Sequence, residues 1–359
     1  AILVAALALA EGFRATLTSA GSPDNVVVLR KGADSEISSG IGRDAASVIR
    51  GLPDIAAGPD GRPLCSSEMV VVSNLHRLGQ PGSSNVLLRG VDLATVGVRA
   101  TPKMVEGRAF TPGTDEVIVG KAIAHRFVDC GVGDVIVFQK RPFKVVGHFD
   151  TGGSALESEI WGDANVLMPV MHREDAFQVM LFRMKDPSRF DALKKLIEAD
   201  PRLGVQADRE DRFYAEQAGT LATLLRTVGV FITVIMAIGA LFGAANTMFA
   251  SIGSRTREIA TLLVLGFRPW SVMLSFMIES VIISLVGGVL GCLIALPING
   301  IATSTTNFQS FSEVSFAFRV TPPALLTGLI VSGVLGLVGG FFPALRAARQ
   351  TPAIALRGG

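Results

Sequence analysis

Over residues 1–220 the apolar positions come in short alternating runs, at 25–29, 68–73, 85–88, 116–119, 135–138 and 143–147. Period-two alternation over a few residues is the pattern of half-buried strands. Turn formers separate the runs, as in Pro81-Gly82-Ser83 and Pro112-Gly113-Thr114. Helical spacing intervenes at 43–50, 121–129 and 187–198, the last with Phe190, Leu193 and Ile197 on one face. A further strand is expected at 166–168. The mixture predicts an α+β domain in two lobes.

Beyond residue 220 the alternation gives way to unbroken apolar stretches. Between Arg226 and Arg255 lie 28 residues without a charge. Residues 270–296 form a second stretch, interrupted by Glu279 alone, and Arg319 and Arg346 bracket 26 more uncharged residues. About 20 apolar helical residues cross a bilayer core, so three spans are expected. Prolines Pro269, Pro297, Pro322, Pro323 and Pro343 sit at their ends, where a helix can stop without stranding hydrogen bonds in lipid. Residues 1–10 are wholly apolar but too few to cross. They read as the outer half of a first transmembrane helix, a signal-peptide remnant being the alternative.

Composition agrees with this division. Hydrophobic residues make up 49% and charged residues 18%, and mean hydropathy is +0.47, too apolar for a uniformly soluble chain. Residues 1–220 carry 25 Lys and Arg against 28 Asp and Glu, whereas the last 139 residues carry 8 against 3. A net charge of +2, with no long basic run, gives no sign of nucleic-acid binding. The connection 251–269 holds Arg255, Arg257 and Arg268 against Glu258, and the tail after Pro343 holds Arg346, Arg349 and Arg357 with no acid. Short basic segments stay cytoplasmic. Residues 299–321 and the large domain then lie outside. There Cys65 and Cys130 could form a disulfide. The histidines, including His148 and His172 near Asp150, lack metal-ligand spacing.

Chemistry is sparse. A nucleotide cradle needs Gly-x-x-x-x-Gly-Lys-Ser/Thr. The single Gly-Lys pair, Gly120-Lys121, has Asp115 and Ala122 where the first glycine and the hydroxyl should be. Glu279 is the lone acid within a span, and burying it ionised costs ~2.5–3.5 kcal/mol, so it is expected neutral, paired or near an interface. A proton relay or ion-coupled transporter would need several such groups. Small residues recur four positions apart, as Gly239/Gly243, Gly287/Gly291 and Ser332/Gly336/Gly340, and let helix backbones approach. They fit a shifting dimer seam or ordinary packing within one bundle. The segment 152–163, with Glu157, Glu159 and Trp161, fits either an exposed contact loop for cargo or partner, or a solvated turn. In the connection 251–269, Ile259, Leu262, Leu263 and Gly266 share one side of a short helix behind Arg255, Arg257 and Glu258. Such a helix can rest on a membrane or dock in a partner's groove.

The run Arg257-Glu258-Ile259-Ala260, then Leu265-Gly266-Phe267, Glu279-Ser280 and Gly287-Gly288-x-x-Gly291, resembles the FtsX/MacB-type ABC transporter permease. So does the ending from Pro343 through Pro352 to Ala355-Leu356-Arg357. Arg89-Gly90-Val91-Asp92, Glu106-Gly107-Arg108-x-Phe110, Glu116 to Gly120 and Phe143 to Gly147 are similar to that family's extracytoplasmic core. The resemblance implies an α+β extracytoplasmic domain inserted between transmembrane helices 1 and 2 of a four-helix all-α transmembrane domain, in the bacterial cytoplasmic membrane. Its expected boundaries are 1–13 for the end of helix 1, 14–210 for the core domain, 211–225 for a stalk helix and 221–250 for helix 2. A coupling loop at 251–269, helix 3 at 270–298, an outer loop at 299–321, helix 4 at 322–343 and a tail at 344–359 follow.

The same resemblance implies a mechanotransmission permease that is not itself an enzyme. It pairs with separate ABC ATPase subunits, which hold the ATP and magnesium, and with a second permease, identical or paralogous. An extracytoplasmic adaptor or substrate carrier and membrane lipid are further partners. The helix at Arg255–Gly266 becomes the ATPase-coupling element. The function implied is export or extraction of a lipid, lipoprotein, peptide or drug. The alternative is a regulator that activates an outside partner, such as a cell-wall hydrolase, without transport; the large outer domain leans toward transport.

Overall fold

The computed structural model describes residues 1–92, 94–99 and 102–350, with Val96 as backbone only. The end of the tail motif, Pro352 to Arg357, lies outside the described residues. The chain forms two compact units, a sheet unit of Phe13–Ala222 with Ala302–Ala317 and a helical unit built from the remainder.

Helix α1 (Ile2–Thr18) leads to β1 (Asn25–Arg30), β2 (Ile41–Gly42), α2 (Arg43–Arg50), β3 (Cys65–His76) and β4 (Ser83–Val91). Then come α3 (Thr95–Val98), β5 (Lys103–Gly107), β6 (Glu116–Gly120), α4 (Lys121–Ala124), β7 (Val135–Phe138) and β8 (Arg141–Asp150). Strand β9 (Glu159–Asp163), α5 (Ala164–Val170), β10 (Ala176–Phe177), β11 (Val179–Arg183), α6 (Phe190–Ala199) and β12 (Val205–Arg209) complete that stretch. Helices α7 (Glu210–Ser254), α8 (Thr256–Val264) and α9 (Pro269–Ala295), strands β13 (Ala302–Asn307) and β14 (Ser312–Ala317), and α10 (Pro322–Ala348) follow.

One mixed sheet carries the sheet unit, in the order β12-β1-β11-β3-β4-β9-β6-β8-β5, with β7 on β8. Strand β3 is long enough to serve two lobes. Its first residues pair with β11, Cys65 opposite Phe182, and the rest pairs with β4, Met69 opposite Gly90. The lobes have separate cores. Val26, Val28, Ile49, Met180, Phe182 and Ile197 fill one, and Val86, Leu88, Val117, Phe138, Phe143 and Ile160 the other. Each such side chain removed from water is worth roughly 1.5–3 kcal/mol. The two-lobed α+β reading therefore holds.

The local differences have physical causes. Residues 166–168 are helical, not extended. They lie in α5, which Asp163 caps by accepting from the Asn165 amide at 2.9 Å, one of the orphan donors of a helix start. Of the helix expected at 121–129 one turn forms, and Asp129 takes φ +61°. Residues 299–321 are not a plain loop, for they contain the β13–β14 hairpin.

Helices α7, whose first turns belong to the sheet unit, α9 and α10 are long and apolar enough to cross a membrane. Their apolar side chains point outward, with Phe231, Phe242 and Ile294 among the most exposed, which suits a lipid surround. Helices α9 and α10 meet along small residues. Ser280 Oγ donates to the Gly336 carbonyl at 2.8 Å and Ser284 Oγ to the Ser332 carbonyl at 2.9 Å, while Ser332 Oγ returns a bond to the Ser284 carbonyl. A Cβ on Gly336 would collide with Ser284 Oγ, so only glycine permits this approach.

Candidate functional site

Helix α8 lies between α7 and α9, and its position follows from how its ends are made. Arg255 is its N-cap, and Arg255 Nη1 lies 3.3 Å from both carboxylate oxygens of Glu279 on α9. The lone acid of the spans is thus paired. At the far end the Gly266 amide donates to the Leu263 carbonyl at 3.2 Å and the Phe267 amide to the Leu262 carbonyl at 3.1 Å. This pair of bonds needs a left-handed residue, and Gly266 supplies φ +91°. Pro269 then starts α9 at its first turn.

The helix has one anchored face. Ile259 and Ala260 are buried, with Leu263 against them, among Met248, Ile252, Val272, Met273, Phe276 and Ala344. Its other side is open: Arg257 and Glu258 are exposed, as are Leu262, Val264, Leu265 and Phe267. Sequence spacing places Leu262 on the same side as Ile259. The structure turns it outward, since the buried stripe runs through Ile259, Ala260 and Leu263, the i, i+1, i+4 face. An anchored helix with an apolar, partly charged outer edge is suited to receive another molecule.

A second constellation, which sequence reasoning missed, sits where α7 begins. Arg89 on β4 is fully buried and donates to three acids. Its Nε lies 2.7 Å from Glu159 Oε2, its Nη1 2.8 Å from Glu68 Oε2 and its Nη2 2.8 Å from Glu36 Oε2. Arg99 continues the chain of charges. Its Nη2 reaches Glu68 Oε2 at 2.9 Å and its Nη1 reaches Glu210 Oε1 at 2.9 Å and the Tyr214 hydroxyl at 3.3 Å. Glu210, first residue of α7, also accepts from Asn25 Nδ2 at 2.8 Å and the Ser22 amide at 3.0 Å. Burial opposes ionisation of Glu68, but Arg99 and Arg89 outweigh it and hold the carboxyl at about 2. At Glu210 burial prevails over Arg99 and pushes the carboxyl up. Both arginines stay charged, the surrounding acids raising them against burial. The start of α7 is thereby tied to the sheet by charge-assisted bonds. One signal existed in the sequence: Arg89 interrupts the apolar strand Val86-Leu87-Leu88 on an inward position.

The remaining candidates fall in different places. Glu157, Glu159 and Trp161 are buried, so 152–163 is not an exposed contact loop. Glu159 and Trp161 belong to a central strand, where Trp161 Nε1 donates to Glu159 Oε2 at 2.7 Å. Glu157 accepts from the Thr151 and Gly153 amides, and burial raises its pKa. Cys65 and Cys130 are free and lie in opposite lobes, which rules out the disulfide. His148 is a buried bridge between Glu106 Oε2 at 3.1 Å and the Cys130 carbonyl at 2.8 Å. Gly336 and Gly340 pack on Ser280 and Ser284, and Ser332 bonds Ser284. A Cβ added at Gly239, Gly243 or Gly287 would meet no atom of the described residues within 4 Å, whereas one at Gly291 would face the Ala1 nitrogen.

Comparison with known proteins gives this arrangement a lineage. The model of the MacB-like periplasmic core domain matches residues 1–200, and that of the FtsX-like permease C-terminal region matches residues 230–352. The chain belongs to the FtsX/MacB family of ABC transporter permeases. Among its curated relatives, the macrolide export ATP-binding/permease protein MacB of Pasteurella multocida is 28% identical over 237 residues, 64% of this chain and 35% of that protein. MacB of Escherichia coli K12 is 29% identical over 235 residues, 63% of this chain and again 35% of the relative. The chain thus spans about a third of the length of the curated relatives it matches. The periplasmic region of MacB from Actinobacillus actinomycetemcomitans aligns with 54% of this chain and 92% of its own at 14% identity, TM-score 0.40. The extracellular domain of the transporter YknZ aligns with 52% of this chain and all of its own at 13% identity, TM-score 0.38.

Proposed function

We propose that this FtsX/MacB permease is the membrane subunit of an ABC transporter. Four transmembrane helices, namely α1, the apolar part of α7, α9 and α10, hold the sheet unit outside the cytoplasm of a bacterial inner membrane. A separate ATPase subunit with its ATP and magnesium docks on α8, and two permeases form the complete transporter. Nucleotide binding displaces α8, and α7 carries the displacement to the sheet through Glu210. The motion exports or extracts an amphiphilic cargo, such as a lipid, lipoprotein, peptide or drug.

The observation that carries this reading is the two-sidedness of α8. One face is fixed by Ile259, Ala260 and the Arg255–Glu279 pair, and the opposite edge leaves Glu258, Leu262 and Leu265 exposed. A membrane-resting helix would bury its exposed apolar residues in lipid without needing an anchored partner face or an outward Arg257 and Glu258. Pull-down of the ATPase encoded with this permease tests the reading. Glu258→Ala combined with Leu262→Asp should abolish capture and ATPase stimulation while the permease still inserts and folds. Full capture and stimulation by that variant, or surface labelling that finds Arg257 on the outside of the cell, would remove the docking role.

A further inference from the structure

The stretch between α9 and α10 is longer than packing needs. These two helices are close antiparallel neighbours, and such neighbours are commonly joined by about 2–8 residues. Here the connection holds a complete hairpin that belongs to the sheet unit. Its register runs from Ala302 opposite Ala317 to Asn307 opposite Ser312. A lone two-stranded hairpin is marginal in water, so its order must come from what it packs on.

That support is specific. Val314 and Phe316 are buried, and Phe316 meets Phe13 edge-on at 5.5 Å. The Ser315 amide donates to Ser158 Oγ at 2.9 Å, and Asn85 Nδ2 donates to the Phe311 carbonyl at 3.0 Å. Glu313 is 2% exposed and lies between two arginines. Arg77 Nη2 donates to its Oε2 at 2.5 Å, and Arg126 Nη2 forms an ion pair with its Oε1 at 2.5 Å without hydrogen-bond geometry. Arg126 also donates to Ser304 Oγ on the other strand at 2.5 Å. The two arginines are brought together because the Leu78 amide bonds the Arg126 carbonyl at 2.8 Å. Backbone pairing continues past both strand ends. The Gly300 amide bonds the Phe318 carbonyl at 2.9 Å, the Phe318 amide bonds the Ile301 carbonyl at 3.0 Å, and Asn299 Oδ1 accepts from the Val320 amide at 2.9 Å. The ladder thus extends to within a few residues of both helices.

We propose that the Ala302–Ala317 hairpin is a second coupling strut, clamped to the sheet by Glu313 between Arg77 and Arg126, through which α9 and α10 act on the sheet in parallel with α7. The proposal rests on the ATPase-driven reading above and adds a second route to it. An ordinary loop would tolerate slack and loss of the clamp. A strut would not.

The test uses the full permease with its ATPase in lipid nanodiscs, read by hydrogen exchange with and without ATP and magnesium. Exchange of 302–317 reports the clamp, and the ATP-driven difference across β3 and β4 reports the response. Glu313→Gln should release 302–317 and abolish the ATP-driven difference while ATPase capture persists. A second variant carries eight Gly/Ser residues after Ile301 and eight after Ala317, each giving about 16 Å of flexible reach. It should keep 302–317 protected and still lose the response, which separates loss of tension from loss of folding. Survival of the response with slack inserted, or with the hairpin released, overturns the strut, and unchanged protection in Glu313→Gln overturns the clamp. Absence of any ATP-driven difference in the wild-type complex overturns the coupling reading itself, and the strut with it.

Discussion

Arg99 holds two acids that have opposite titration behaviour, and this makes the buried network measurable at single residues. Removing one member of a buried ion network leaves its partners charged and unsolvated, at a cost of about 3–5 kcal/mol. Arg99→Leu should therefore destabilise the sheet unit by that amount in denaturant unfolding followed by Trp161 emission, with Trp270→Phe removing the other tryptophan. An effect below about 1 kcal/mol would mean that the site is wet enough to screen the loss. The pH dependence follows from linkage. Glu68 is held at about 2, against its ordinary 4.5, so its contribution is complete above 4.5 and is lost as pH falls toward 2. That interval corresponds to on the order of 3 kcal/mol. Glu210 is shifted the other way, so its contribution is complete below 4.5 and is lost as pH rises through its folded-state value. Glu68→Gln should flatten the acid limb of the melting temperature against pH, and Glu210→Gln the limb above 4.5. Identical profiles for the two variants would refute the assignment. None of this could be read before the fold was seen, because a glutamate's partners are set by a tertiary fold that brings positions 36, 68, 159 and 210 together from two strands, a helical turn and the start of α7. Only the interruption of an apolar strand by Arg89 hinted at it.

At the scale of elements, legibility depended on length and periodicity. The three long apolar helices were readable because a stretch of more than 20 residues averages over local exceptions. Short pieces were not. Residues 166–168 look like a strand by β-propensity, yet one cap at Asp163 makes them helical. The hairpin strand Thr303-Ser304-Thr305-Thr306 is polar and has no apolar face to betray it. In α8 the amphipathic pattern gave the helix but misassigned Leu262, since nine residues leave the buried stripe uncertain by one position, and it carried the helix face on to Gly266, where a left-handed backbone instead ends the turn. This yields an asymmetric prediction. Ile259→Asp places a charge in the packed cluster with Met248, Val272 and Ala344, and should cost several kcal/mol, about what an unpaired buried carboxylate costs. Detergent-solubilised Ile259→Asp should run as an aggregate on size exclusion, whereas Leu262→Asp should elute as wild type and fail at ATPase capture alone. Gly266→Val should cost about 1–2 kcal/mol through its left-handed backbone, visible as a lower melting temperature with ATPase capture retained below the melt.

Over the whole molecule, the small-residue positions divide by environment, and the division bears on assembly. Gly336, Gly340 and Ser332 are consumed by the α9–α10 contact, so they cannot also serve a seam with another copy. Gly239 and Gly243 stand one turn apart on α7, where an added Cβ would meet no atom of any other described element within 4 Å, and are flanked by exposed Met236 and Phe242. Glycines four apart on an apolar helix permit close approach by a partner helix, and the two-permease reading supplies one. A cysteine at Gly243 therefore samples the predicted seam, while a cysteine at Ser332 samples the inside of one copy. The native thiols of the sheet unit do not interfere, because burial pushes both Cys65 and Cys130 up to about 12 and keeps them as unreactive thiols. Cys292→Ser removes the third. In membranes from cells expressing that background, mild oxidation should convert Gly243→Cys to a covalent dimer on non-reducing gels and leave Ser332→Cys monomeric. Should the partner be a paralogue, Gly243→Cys alone should stay monomeric and should cross-link once the paralogue's equivalent helix also carries a cysteine. Equal cross-linking at both positions would mean that the helices exchange freely, and the seam would then have to lie elsewhere.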